Sequence, residues 1–269
     1  MNYGHLLLLN KRYMYIMNIF ITDFYHRNDL LDKAEAMIAN HWPAFMMGTS
    51  VDDSYWERLY DVPFSHYQFM AVLKTQTEEK VIGVINSIAL PWQTNSLNDL
   101  PDEGWDRVFQ LGMEAEEQQL PCHLISALSV TIDHHYRGKG IAQRLINTLK
   151  EHAKKQGYLG VAVPVRPTLK HCYPLHSFAE YCQWKNDNDE PFDPWIRTHW
   201  RLGATTIKIA PQSMKIEAPT EKWQQWTSLR FPVSGDYTIP MGLAPLNIDI
   251  QRQYGVYLEP NLWMFHHIR

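Results

Sequence analysis

Apolar and polar positions change rhythm several times along the chain, and each change marks an element. Asn18 to Phe24 alternates as a strand. Asn28-Asp29 then precede Leu30, Leu31, Ala34, Met37 and Ile38 at helical spacing, which predicts a capped helix to about Trp42. Asp52 to Leu59 predicts a second short helix, whose Trp56, with Tyr60 beyond, is suited to packing or to walling an acceptor pocket. Tyr67 to Lys74 and Lys80 to Leu90 predict a hairpin over the polar turn Thr75 to Glu79. Pro91 to Pro121 reads as a loop and then a helix through Trp105, Val108, Phe109 and Met113 into an acidic run from Glu114 to Gln119. Glu114, Glu116 and Glu117 are possible general bases there, although a charge run is usually a solvated helix face.

The clearest signal runs from His123 to Tyr158. Leu124 to Ile132 carries only Ser126, Ser129 and Thr131 among aliphatic residues, too few polar positions for a strand with one wet face, so it belongs inside a sheet. After Gly140 the apolar positions are Ile141, Ala142, Leu145, Ile146, Leu149 and Ala153, a helical stripe closed by Lys154, Lys155 and Gly157. Leu159 to Val165 is a second buried strand, parallel to the first if the helix crosses over in the usual hand. Arg166 to Lys170 follow at its carboxyl end, where open α/β sheets place their chemistry. Further strands are predicted at Thr205 to Ile209, Ser213 to Glu217, Gly255 to Leu258 and Trp263 to Ile268, amid turn signals from Pro232 to Pro245.

Composition narrows the class. A chain of 269 residues that is 45% hydrophobic can bury a sizeable core and is long for one domain of this kind. A net charge of −4 argues against a nucleic-acid surface, because binding a polyanion needs a basic face. No run reaches the length of a membrane span, so no membrane partner is expected. The 3 cysteines, Cys122, Cys172 and Cys182, are odd in number and irregularly spaced, which predicts a reduced, cytoplasmic protein. Residues 1–16 make a poor signal peptide and are expected to be a disordered extension, with Met17 a plausible alternative start. His134-His135, His171, His176 and His266-His267 lack the paired spacing of a zinc site, so no metal is predicted.

Between the central strand and helix lies Arg137-Gly138-Lys139-Gly140-Ile141-Ala142. Glycines let a backbone approach a ligand, and the first amides of a helix lack intrahelical acceptors, so this turn suits a pyrophosphate. The same glycines also fit an ordinary tight turn. Arg137-x-x-Gly140-x-Ala142, after a strand and opening an amphipathic helix, resembles the acyl-coenzyme A loop of the GNAT acetyltransferase superfamily. The resemblance implies a mixed α/β (α+β) fold with a splayed central sheet flanked by helices. It also implies acetyl-coenzyme A or another acyl-coenzyme A as co-substrate and no metal. Amides from Gly138, Lys139, Gly140, Ile141 and Ala142 would hold the pyrophosphate, with Arg137 and Lys139 adding positive charge, and the main chain of Val130, Thr131 and Ile132 would pair with pantetheine. The GNAT-like core would span residues 17–210, with insertions at 91–121 and 168–200, and residues 211–269 would complete the sheet or cover the acceptor side.

The chain departs from the common family pattern after Val165. Where many relatives carry an Asn and then a helical Tyr that protonates the leaving thiolate, this sequence has Arg166-Pro167-Thr168-Leu169-Lys170 and, further on, Tyr173 and Tyr181. Arg201-Leu202-Gly203-Ala204 then resembles the family's Gly-Phe, displaced by an insertion. The segments around Thr168 and from Phe192 to Gly203 resemble the GNAT-like domains of polyketide synthase loading modules and their free-standing relatives. That narrower resemblance implies roles for Thr168 and His199 in malonyl-coenzyme A decarboxylation or acyl transfer to a carrier-protein thiol. In the alternative, Thr168 caps a turn and His199 is a hydrogen-bonded core histidine. The first expectation is an N-acyltransferase acting on an amine through a ternary complex; a non-catalytic acyl-coenzyme A-binding module is the third. The sequence leaves the acceptor, small-molecule amine or carrier protein, and the oligomeric state open.

Overall fold

The computed structural model describes residues 18–39, 41–48, 55–94 and 96–268. The expected disordered extension at residues 1–16 and the first part of the predicted helix at Asp52 lie outside them. In chain order the elements are β1 (Asn18–Asp23), α1 (Leu31–Ala39), β2 (Phe69–Lys74), β3 (Glu79–Leu90), α2 (Gly104–Glu117), β4 (Leu124–Ile132), α3 (Ile141–Lys155), β5 (Gly160–Val165), α4 (Phe178–Gln183), α5 (Pro194–Arg201), β6 (Ala204–Pro219), α6 (Thr220–Thr227), β7 (Gly235–Tyr237), β8 (Leu246–Asp249) and β9 (Tyr254–His267). The strands form a 9-stranded, mostly antiparallel sheet in the order β1-β2-β3-β4-β5-β9-β8-β7, with β6 paired to β9. Among the described residues no helix is long and apolar enough to cross a membrane.

The chain divides into two compact units, and β3 and β4 contribute residues to both. The first takes in Met1–His41, Glu57–Ser87 and Ser129–His152. Here β1 pairs antiparallel with β2 from Asn18↔Lys74 to Asp23↔Phe69, and β2 pairs with β3 across the hairpin the alternation predicts. Helix α3 lies close over β3 because Gly83 has no side chain: a Cβ there would meet Ile132 Cδ1 at 2.8 Å and Ile141 Cγ2 at 3.1 Å. Ile141, Leu145 and Leu149 are fully buried, as their stripe requires. The predicted cap at Asn28-Asp29 does not form. Asn28–Leu30 is a 3-10 turn without a side-chain cap, and α1 starts at Leu31. Asp29 instead accepts two guanidinium bonds of Arg27, at 2.7 and 2.8 Å, a charge-assisted fork stronger than a neutral cap.

The second unit holds Trp42–Trp56, Ile88–Leu128 and Ala153–Arg269. Strand β4 runs parallel to β5 at Ile125↔Val161 and Ser126↔Ala162, and β5 then pairs antiparallel with β9 from Gly160↔His267 to Val165↔Leu262. The four separate C-terminal strands predicted from the sequence are two long ones. Thr205 to Ile209 and Ser213 to Glu217 both lie in the 16-residue β6, and Gly255 to Leu258 and Trp263 to Ile268 run into the 14-residue β9. β6 runs through Pro211 and the polar residues around it at register shifts between Thr206 and Ile209 and between Ala210 and Met214. The buried Ser213 hydroxyl accepts the Trp105 amide at the start of α2 at 2.9 Å and donates to Asn261 Oδ1 at 2.6 Å. Polar residues at strand positions are tolerated because each finds a partner. Helix α6 escaped the sequence reading: its Trp223 is fully buried and donates its indole N–H to the Gly255 carbonyl at 3.1 Å.

Candidate functional site

The glycine loop lies in the first unit, between β4 and α3, where the pattern predicts it. Gly138 and Gly140 sit at φ +73° and +77°, the left-handed region that side chains avoid. Among the described residues a Cβ on Gly138 would meet nothing within 4 Å, and one on Gly140 only the tip of Gln143 at 4.0 Å. The glycines are therefore fixed by backbone conformation, and the space over them is open to a ligand. Arg144 donates its amide to the Gly140 carbonyl at 3.1 Å, which leaves the amides of Ile141, Ala142 and Gln143 as the orphan donors of the first turn. Arg137 and Lys139 are exposed, and the Lys139 ammonium stands 4.9 Å from the centre of the Tyr136 ring. In β4, Thr131 is buried while Val130 and Ile132 are half-exposed.

Asp133 joins the strand to this loop. Its carboxylate is buried, accepts the His135 amide at 2.9 Å and meets the Lys80 ammonium at 2.8 Å. Burial alone would raise its pKa; Lys80 and the His135 N–H more than offset that and hold it below the usual carboxylate range. The potential ligand atoms of Asp133, His134 and His135 lie within 4.8 Å of one another. Lys80 takes the Oδ2 atom of that carboxylate. A cavity of about 530 Å³ opens beside them, lined by Lys33, Met37, His41, Lys80, Asp133 and His134 among others.

The remaining candidates belong to the second unit. Past β5, Arg166 forms a fork on Glu259, at 2.8 and 3.1 Å, and donates to the Met241 carbonyl at 2.6 Å. Glu259 is fully buried and also accepts the Tyr257 hydroxyl at 2.8 Å. Thr168 is exposed, and its carbonyl is bonded to the His171 ring at 3.1 Å. The half-buried Tyr173 sits among Tyr181, Trp184 and Phe192, with ring centres 5.8, 5.0 and 5.7 Å away. Tyr181 is fully buried and donates to Asp193 Oδ2 at 2.7 Å; burial first and then Asp193 push its pKa well up, so it holds its proton tightly. The acidic candidates on α2 are surface groups: Glu114 pairs with Arg107 at 3.1 Å, and Glu117 is exposed.

Asp193 is the residue here that sequence reasoning missed. Its carboxylate caps α5 by accepting the Trp195 and Ile196 amides at 2.9 and 3.2 Å, and it takes the Leu169 amide at 2.8 Å and the Tyr181 hydroxyl. One buried carboxylate thus ties the segment after β5 to two helices. The signal was present as Asp193-Pro194, an N-cap followed by proline in the first helical turn.

His199 is fully buried on α5, with Nδ1 2.9 Å from His266 Nε2 and the Trp195 ring centre 4.5 Å away. Among the described residues its Nε2 has no hydrogen-bond partner. One proton suffices for the bond between the two rings, and burial first, then His266, hold the His199 pKa well below 6.5. The unfolded chain therefore binds a proton that the folded chain refuses, so stability is expected to fall as pH drops from about 7 to 5. Guanidinium unfolding midpoints across that range should show the slope, and His199→Gln should flatten it; an equal slope in the variant would assign the effect elsewhere.

The model of the acetyltransferase (GNAT) family matches residues 34–181. The chain is 35% identical over 265 residues to arginine N-acetyltransferase avaD of Aspergillus versicolor, covering 89% of this chain and 90% of that protein. Its fold is similar to the loading GNATL domain of CurA from Lyngbya majuscula, at a TM-score of 0.59 and 17% identity over 94% of this chain and 98% of that one. It is similar also to the GphF GNAT-like decarboxylase in complex with isobutyryl-CoA, at 0.55 and 14% over 94% and 100%.

Proposed function

The chain belongs to the GNAT acetyltransferase family and is an acyltransferase, and from that premise we propose that it moves an acetyl group from acetyl-coenzyme A to the amine of a small molecule. The observation that carries the proposal is the loop: two left-handed glycines open to solvent and a helix start whose amides are free to meet a pyrophosphate. The acceptor we propose is a basic amino acid, because the relative at 35% identity is named for arginine.

In this reading the main chain of Val130, Thr131 and Ile132 aligns the pantetheine arm, and the free amine attacks the thioester carbonyl. A main-chain N–H of β4 stabilises the oxyanion as charge develops. The departing thiolate needs a proton, and Tyr173 is the proposed donor, since Tyr181 already gives its own to Asp193. Incubating the protein with acetyl-coenzyme A and arginine, lysine or agmatine, with thiol release and product mass followed together, is expected to give an N-acetylated product. Cofactor binding with no acetylated product from any amine would leave the inert binding module.

The second reading, decarboxylation of malonyl-coenzyme A or transfer to a carrier-protein thiol, is favoured by Thr168, whose side chain stands exposed just past the carboxyl end of β5. Burial of His199 against His266 speaks against a direct role for that imidazole. Carbon dioxide released from malonyl-coenzyme A and lost in Thr168→Ala would select it.

A further inference from the structure

Just after Thr168 the chain makes a 3-10 turn, Lys170–Cys172, that brings an imidazole onto a thiol. Cys172 Sγ lies 3.4 Å from His171 Nε2. His171 Nδ1 lies 3.1 Å from the Thr168 carbonyl, which can only accept, so Nδ1 carries the ring proton and Nε2 presents its lone pair to the thiol. Nucleophile, base and a group that orients the base are thus in contact, the arrangement that activates a cysteine. The turn itself is pinned. Leu169 donates to the buried Asp193, the buried Lys170 ammonium donates to the Tyr173 carbonyl at 2.9 Å, and the Cys172 amide donates to the Leu169 carbonyl at 3.0 Å. Cys172 is exposed, whereas Cys122 and Cys182 are partly covered. Burial, with Asp193 adding to it, pushes the Cys182 thiol up to about 12, and burial and Glu116 raise Cys122.

We propose that Cys172 is a nucleophilic thiol that takes an acyl group from a thioester, with His171 as its base. The S–H proton passes to His171 Nε2 as Sγ attacks the carbonyl. The new Sγ–C bond forms, the C–S bond of the donor thioester breaks, and the departing thiolate recovers the proton from His171. One thioester replaces another without redox change. That the physiological donor is an acyl-coenzyme A rests on the function proposed above; the reactivity of the thiol does not.

The experiment uses two donors, acetyl-coenzyme A and the small thioester S-acetyl-N-acetylcysteamine, which has no pyrophosphate for the glycine loop to hold. Intact-mass and peptide analysis of the full chain should find one acetyl group on Cys172 that hydroxylamine removes. Cys172→Ser should lack it, and His171→Gln should acquire it at least about tenfold more slowly. Alkylation of Cys172 by iodoacetamide at neutral pH should slow by a similar factor in His171→Gln, which reports nucleophilicity even if the acyl group is short-lived. An adduct from the small thioester alone would uphold the thiol and remove the coenzyme A reading. Equal alkylation rates in the wild type and His171→Gln, or an adduct that persists in Cys172→Ser, would overturn the proposal while leaving N-acetylation of amines intact.

Discussion

Gly140→Asp is expected to weaken acyl-coenzyme A binding by on the order of a thousandfold while the protein still folds. Gly140 sits at φ +77°, and nothing within van der Waals contact would obstruct a new Cβ. Asp and Asn are the non-glycine side chains that best tolerate this backbone region, and the strain they add is common to both. A carboxylate there would face the pyrophosphate at roughly 4 Å, a repulsion of about 4 kcal/mol at the effective dielectric of a protein surface. Gly140→Asn separates shape from charge, because it adds the same atoms without the ion. Calorimetric titration should give a loss of a few fold for Asn and near-complete loss for Asp. Equal affinities for wild type and Gly140→Asp would move the anion site off this loop.

The largest effect on stability is expected from Arg166→Met. The substitution keeps an aliphatic stem but leaves Glu259, which is fully buried, with only the Tyr257 hydroxyl as donor among the described residues. Removing one partner of a buried ion pair costs about 3–5 kcal/mol, chiefly because the other charge remains buried. In a chain of this size that lowers the melting temperature by on the order of 10 °C. Glu259→Gln in the same background removes the stranded charge and should recover part of the loss, a coupling that a double-mutant cycle measures directly. Additive effects of the two substitutions would mean that the fork at 2.8 and 3.1 Å contributes little.

The pinned turn bears on both proposals. Asp193 holds Leu169 and Tyr181 in place; Thr168 stands just before Leu169, and His171, Cys172 and Tyr173 lie between the two. A change at Asp193 would disturb every one of these candidates together, so its loss cannot assign a role to any of them.

The sequence by itself determined the elements whose signal is local. The bounds of β4 at Leu124 and Ile132 and the start of α3 at Ile141 follow from a buried apolar run, a glycine turn and a helical stripe. Gly138 and Gly140 were legible because a left-handed backbone leaves a chemical mark: only residues of their kind adopt it cheaply. What the tertiary structure decided were contacts between residues far apart in the chain. Arg166 meets Glu259, His199 meets His266, and Ser213 bridges Trp105 and Asn261; no periodicity encodes a partner tens of residues away. The same reason explains the long β6 and β9. In the folded chain, bulges and buried hydrogen-bond partners carry each strand through its proline and polar residues.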